Sequence, residues 1–167
     1  REEIRIARLV PSPGCYPTAA ILQLAPLIAH GLIVPDSIVV DAKSGISGAG
    51  RSPALPYHFP EAHESIEAYK IGRHRHLAEI EQELSALWLR HSPAAASDPA
   101  GEAPLHVVFT PHLVPMNRGI LSTAYCRLRM PVDLSDIRAL YDTFYKGERF
   151  IRLKDGDASP NPSHVRG

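Results

Sequence analysis

Proline sets the strongest limits on how this chain can fold. Sixteen of its 167 residues are Pro. Each fixes φ and removes a backbone donor, so helices and strands must end near it or accommodate it in a first turn. "IRIARLV" (residues 4–10) alternates apolar and basic side chains ahead of Pro11 and predicts a short strand. A Pro-Gly-Cys turn follows, and then a helix over about 18–30, with Pro17 suited to its first turn, Pro26 expected to kink or divide it, and Gly31 as its C′ residue. "SIVVDAKS" (37–44) predicts a β-branched strand. Residues 52–65, with three prolines and two histidines, predict a long irregular loop.

Downstream, "HLAEIEQELSALWLRH" (76–91) places Leu77, Ile80, Leu84, Leu87 and Trp88 at amphipathic helix spacing. The low-complexity run at 92–104 predicts a mobile loop. Strands are expected at 105–110 and 119–130, with a turn-rich connection between them. A helix is expected over 133–147, capped by Asp133 or Ser135, then a last strand at 149–153. The whole predicts an α+β fold with four or five strands in a mixed sheet, three main helices on one face, and no internal repeat.

Charge and composition narrow the function. Eighteen basic residues balance eighteen acidic ones, which argues against a binder driven by the nucleic-acid backbone. No apolar run nears the roughly 18 residues that span a bilayer, and no basic leader with an apolar core is visible. With 44% hydrophobic residues the chain can build a core without staples. Two cysteines do not make a secreted disulfide framework. The expectation is a reduced, cytoplasmic protein that binds neither nucleic acid nor membrane. The chain opens on Arg1 without a Met, and it is read as a piece of a longer protein.

Four stretches carry candidate chemistry. Cys15 sits just ahead of a helix, where free N–H groups and the positive dipole end favour a thiolate; the alternative is an inert, gap-filling cysteine. Cys126 lies within a strand pattern and reads as structural. "GRHRHLAEIE" (72–81) sets His74 and His76 about Arg75 at a helix start, with Glu79 three residues past His76. This is either an acid/base pair with an orienting carboxylate or a solvated helix start. His-x-His with one distant Cys lacks a standard zinc spacing, so no metal is expected. "SGISGAGR" (44–51) offers Ser44, Gly45, Ser47 and Gly48 as an anion-binding loop beside Arg51, without a Walker or dinucleotide fingerprint. Asn117 and Arg118, ahead of a strand, form either an oxyanion clamp or a surface turn.

Taken in order, "PGCYPTAA", "SGISGAGR", "AYKIGRHRHLAEIEQEL", "FTPHLVPMNRGIL" and "FYKGERFIRL" resemble the C-terminal domain of the N-acetyl-gamma-glutamyl-phosphate reductases, over nearly the whole chain. The resemblance implies a fold like the C-terminal domain of glyceraldehyde-3-phosphate dehydrogenase. It implies a catalytic and dimerisation domain over 1–167, and a Rossmann NADP-binding domain that lies outside these residues. It also implies NADP-dependent reduction of an acyl phosphate through a thioester on Cys15. His74 is the expected acid/base, with His76 and Glu79 as neighbours. Ser44, Gly45, Ser47, Gly48, Arg51, Arg75, Asn117 and Arg118 are the expected substrate contacts, and the domain is expected to form a homo-oligomer. A reductase of an amino-adipyl or aspartyl phosphate, and a purely scaffolding fragment, remain open alternatives.

Three positions depart from the family pattern. Ser12 stands where Asn is usual, and Leu77-Ala78 stand where Thr or Ser and then Pro are common. Arg73 is an unusual cation beside the histidines, expected to depress a histidine pKa.

Overall fold

A computed structural model describes residues 2–91 and 105–165; the predicted loop at 92–104 lies outside the described residues. Its elements, in chain order, are α1 (Glu2–Ile6), α2 (Cys15–Ala29), β1 (Ile38–Gly45), α3 (Phe59–Ala62), β2 (Glu67–Ala68), α4 (His76–His91), β3 (Val107–Val114), β4 (Ile120–Tyr125) and α5 (Leu134–Phe144). This is the expected α+β class.

Helix α2 starts three residues earlier than predicted, so Cys15 is its first helical residue rather than its prelude. Gly14, extended at φ −63°, ψ 155°, occupies the N-cap. Pro17 is accommodated because first-turn N–H groups have no intrahelical acceptor to lose. Pro26 neither divides nor ends the helix. It cannot donate to the Leu22 carbonyl one turn back, and there the Tyr145 hydroxyl donates instead, at 2.5 Å. The Tyr141 hydroxyl donates to the next carbonyl, Gln23, also at 2.5 Å. Thus Tyr145, just after α5, supplies the one donor that proline withholds, and Tyr141 of α5 adds a donor at the neighbouring carbonyl. Gly31, at φ +65°, ends the helix as predicted. The Leu32 N–H reaches the Leu27 carbonyl and the Gly31 N–H the Ile28 carbonyl, a Schellman closure.

Helix α4 has the predicted bounds. Ile80, Leu84 and Trp88, one per turn, are buried in the core with Leu24 and Ile28 of α2. Two polar groups of α4 tie it to the start of β3: Ser85 Oγ accepts the Leu105 N–H at 2.8 Å and Glu81 accepts that of Val107 at 3.0 Å.

The sheet runs β2-β3-β1-β4, with β1 and β3 parallel and the other pairs antiparallel. Ile38, Val40 and Ala42 of β1 point into the core, against α2 and α4. The other face carries rows of Val39, Val108 and Tyr125, then Asp41, Thr110 and Thr123, then Lys43, His112 and Leu121. On it Lys43 pairs with Asp41 at 2.6 Å, and His112 Nδ1 lies 3.0 Å from the same carboxylate.

Four expectations need correction. Residues 4–10 form no strand: 2–6 are a short exposed helix and Leu9 and Val10 are exposed. The alternating pattern finds no partner strand among the described residues. Strand β3 does not stop at 110 but runs through Pro111 to Val114. Pro111 is tolerated because its nitrogen faces the short β2 side, where its carbonyl accepts the Tyr69 N–H at 3.1 Å. The predicted strand at 119–130 yields β4 only to Tyr125; beyond it the chain swings to a single bridge between Ile33 and Leu128. Residues 149–153 pair with no strand among the described residues: 149–150 turn, with the Ile151 N–H on the Glu148 carbonyl, and Phe150 is almost fully exposed.

Candidate active site

Cys15 is exposed at the first position of α2, where helix geometry leaves N–H groups without intrahelical acceptors and the dipole favours an anion. It opens on a cleft of about 380 Å³ that also receives Ser44, Gly45, Gly48, His74, Arg75 and His76. The parallel pair β1 and β3 brings these together: Ser44 and Gly45 lie at the C-terminal end of β1, and α4 crosses back over the core to present its first turn beside α2.

Gly14 sets how closely the histidines approach. A Cβ there would stand 2.6 Å from His76 Nε2 and within 2.9 Å of two ring carbons. The His76 ring is therefore packed against the cysteine turn, and only glycine leaves room for it. Glu79 does not orient a histidine by hydrogen bonding; its carboxylate accepts the Gly14 N–H at 3.2 Å and ties the Cys15 turn to α4.

His74 sits in an aromatic box. The rings of Tyr16, Tyr69 and Phe109 lie edge-on at 5.4, 5.7 and 5.5 Å, and His76 at 4.8 Å. Its Nδ1 accepts the backbone N–H of His76 at 3.1 Å, so the neutral ring carries its proton on Nε2. Desolvation in this box, with repulsion from His76, Lys70 and Arg75, pulls its pKa down to about 4. His76 is lowered too, by burial and by Arg75, with Glu79 opposing. Arg73, expected to depress a histidine pKa, is not among the causes for either ring.

The glycine loop departs most from expectation. The N–H groups of Gly45, Ile46 and Ser47 donate to the carbonyls of Gly119, Met116 and Asn117 at 2.9, 2.9 and 3.1 Å. They are engaged by the turn before β4 and are not offered to an anion. A Cβ on Gly45 would stand 2.7 Å from the Arg118 nitrogen, so glycine is needed for this close approach. Ser44 is buried, its hydroxyl on the Gly45 carbonyl at 3.1 Å.

The expected substrate contacts are divided. Ser47, Asn117 and Arg118 line a neighbouring cavity of about 460 Å³, separated from the Cys15 cleft by Tyr57, which faces both. Arg51 is exposed and lines neither. Sequence reading missed Tyr16, Tyr69 and Lys70. The two tyrosine hydroxyls lie 2.9 Å apart in the cleft wall, and burial drives the Tyr16 phenol far upward. Proximity of Tyr16 to Cys15 was the signal available. Cys126 packs against the core and burial raises its thiol pKa, as a structural cysteine should.

Among the described residues no group of three or more His, Cys, Asp and Glu is placed to hold a metal, and no helix is long and apolar enough to cross a membrane. The described residues do not fit a dinucleotide. The one parallel strand pair is covered by helices on a single face, and the Gly45 N–H at the end of β1 is already taken by the Gly119 carbonyl.

The family model for the semialdehyde dehydrogenase dimerisation domain matches residues 15–167. The chain belongs to this family. Curated relatives named N-acetyl-gamma-glutamyl-phosphate reductase align over all 167 residues. That of Syntrophobacter fumaroxidans is 52% identical, that of Pelotomaculum thermopropionicum 48% and that of Acetivibrio thermocellus 45%. In each case the chain spans 44% of the relative's length. The family match begins at Cys15 itself, the first residue of α2.

Proposed function

We propose that this chain is the catalytic and self-associating part of an N-acetyl-gamma-glutamyl-phosphate reductase, and that Cys15 is its nucleophile. One observation carries the reading: the thiol stands at a helix N-terminus in a cleft shared with two packed histidines and a cationic rim. A thiolate there attacks the acyl carbon; the bond from that carbon to the phosphate oxygen breaks, phosphate leaves, and a thioester remains. First-turn N–H groups of α2 are suited to the oxyanion that forms on the way. Reduction of the thioester needs a hydride. Its donor, NADPH on the strength of the family resemblance, would be held by residues outside those described, in a Rossmann domain within the remaining length of the relatives.

The two rings suit different roles, the reverse of the sequence expectation. His74, neutral down to about pH 4 and held with its proton on Nε2, is a fixed hydrogen-bond donor. His76, packed on the Gly14–Cys15 turn, is better placed to carry protons to and from the thiol and the carbonyl oxygen. Self-association is supported by the family description and by the helix-free face of the sheet, where Val108 is 62% and Tyr125 57% exposed. Light scattering on the chain should give at least twice 18.3 kDa.

Alkylation tests the nucleophile. Iodoacetamide near neutral pH should modify Cys15 well ahead of Cys126, and preferential labelling of Cys126 would overturn the assignment. In the full-length enzyme, His76→Asn should lower kcat by roughly two to four orders of magnitude. His74→Asn should act mainly on KM. The opposite pattern would return the proton-carrying role to His74.

A further inference from the structure

Three backbone donors of the glycine loop, those of Gly45, Ile46 and Ser47, are spent on the 116–119 turn, so positive charge for an anionic group in this cleft has to come from side chains. Two cations line the cleft, Lys70 and Arg75, against one carboxylate, Glu67. Neither cation forms an ion pair among the described residues. Both act on His74 from within the same wall.

Lys70 is held there by a backbone conformation that lysine ordinarily avoids. Its φ is +47°. The Tyr69 N–H just before it is fixed to the Pro111 carbonyl of β3. Just after it the Lys70 carbonyl accepts the Arg73 N–H at 2.9 Å, closing a tight turn with Gly72 at φ +65°. A left-handed backbone is unfavourable for a residue with a Cβ, and glycine here would relieve it. Glu64, the other non-glycine residue with positive φ, lines neither cavity. Only at Lys70 does the strain coincide with a charge aimed at the thiol's cleft.

We infer that Lys70 is the docking cation for an oxyanion of the acyl phosphate substrate, with Arg75 as the second charge on the same rim. This rests on the acyl-transfer reading above. The left-handed turn keeps Lys70 in the cleft wall just beyond β2.

The test compares two alkylating reagents on Cys15 in the full-length protein. Thiolate fraction affects iodoacetate and iodoacetamide alike, so the ratio of their rates reports local positive charge alone. Lys70→Gln should lower that ratio by roughly 3- to 10-fold, the scale of one screened charge pair at short range, and Lys70→Arg should preserve it. Lys70→Gly should lower the ratio equally while raising Tm, which separates charge from fold. Running the reaction in reverse then separates the two oxyanions. A raised KM for inorganic phosphate with that for the semialdehyde unchanged assigns the phosphate. The converse assigns the substrate carboxylate. A ratio unaffected by Lys70→Gln, or a lowered ratio with both KM values unchanged, overturns the inference. Retained turnover in Cys15→Ser would instead overturn the acyl-transfer reading, and the alkylation ratio does not depend on turnover.

Discussion

Gly14→Ala probes the contact that builds the site. The backbone at Gly14, φ −63° and ψ 155°, suits alanine, so strain there contributes nothing. The new methyl would lie 2.6 Å from His76 Nε2. Ordinary contact needs about 3.5 Å, so the ring must retreat by roughly 0.9 Å. It cannot retreat freely, with His74 4.8 Å behind it and Tyr16 at 6.0 Å. Overpacking of this kind costs roughly 1–3 kcal/mol, and alanine is also a poorer N-cap than glycine. A double-mutant cycle separates the two costs. Urea unfolding of the chain, of Gly14→Ala, of His76→Ala and of the double variant should give a coupling of about 1–2 kcal/mol, because truncating His76 removes the clash and leaves the capping cost. In the full-length enzyme, displacing the ring by nearly an ångström should lower kcat roughly 100-fold. A coupling below about 0.5 kcal/mol would show that His76 is not wedged against the turn, and the argument for its role would fail with it.

Two further outcomes follow from other contacts. Tyr145→Phe removes the donor to the Leu22 carbonyl beside Pro26 and should destabilise the chain by about 1 kcal/mol; Pro26→Ala, which restores the helical N–H, should make the same tyrosine substitution nearly silent in urea unfolding, and an equal cost in both backgrounds would refute the compensation. Because His74 titrates near pH 4 in the folded chain against 6.5 ordinarily, the unfolded chain takes up that proton first on acidification. Its contribution to stability is therefore complete above pH 6.5 and is lost as pH falls toward 4. His74→Gln should flatten Tm against pH within that window, and an unchanged slope would contradict the desolvated ring.

What the sequence disclosed and what it concealed divide along physical lines. Helix α4 was legible to the residue because its apolar spacing is regular and long. Strand β1 was legible because β-branched residues follow a proline turn. Pro26 and Pro111 misled because both are rescued from a distance, one by tyrosine hydroxyls of a later element, the other by a short neighbouring strand. Cys15, His74 and His76 could be singled out because reactive residue types in a turn-and-helix setting carry their own signal, and the fold brings all three to one cleft. The engagement of Gly45, Ile46 and Ser47 with the 116–119 turn was not legible, because composition says nothing of which carbonyls will occupy a loop's donors. Lys70 was missed because a left-handed φ at lysine leaves no trace in the sequence.

The three hydrogen bonds from Gly45, Ile46 and Ser47 to the turn at 116–119 have a consequence for how this fold can vary. Insertions are usually absorbed by surface turns, but one added residue here would shift three acceptors past their donors at once. The inner wall behind Cys15 would lose its backing, although the inserted residue lay in the next cavity. The two loops can therefore drift only as a matched pair, and a length change in either would require a compensating change in the other, some seventy residues away along the chain.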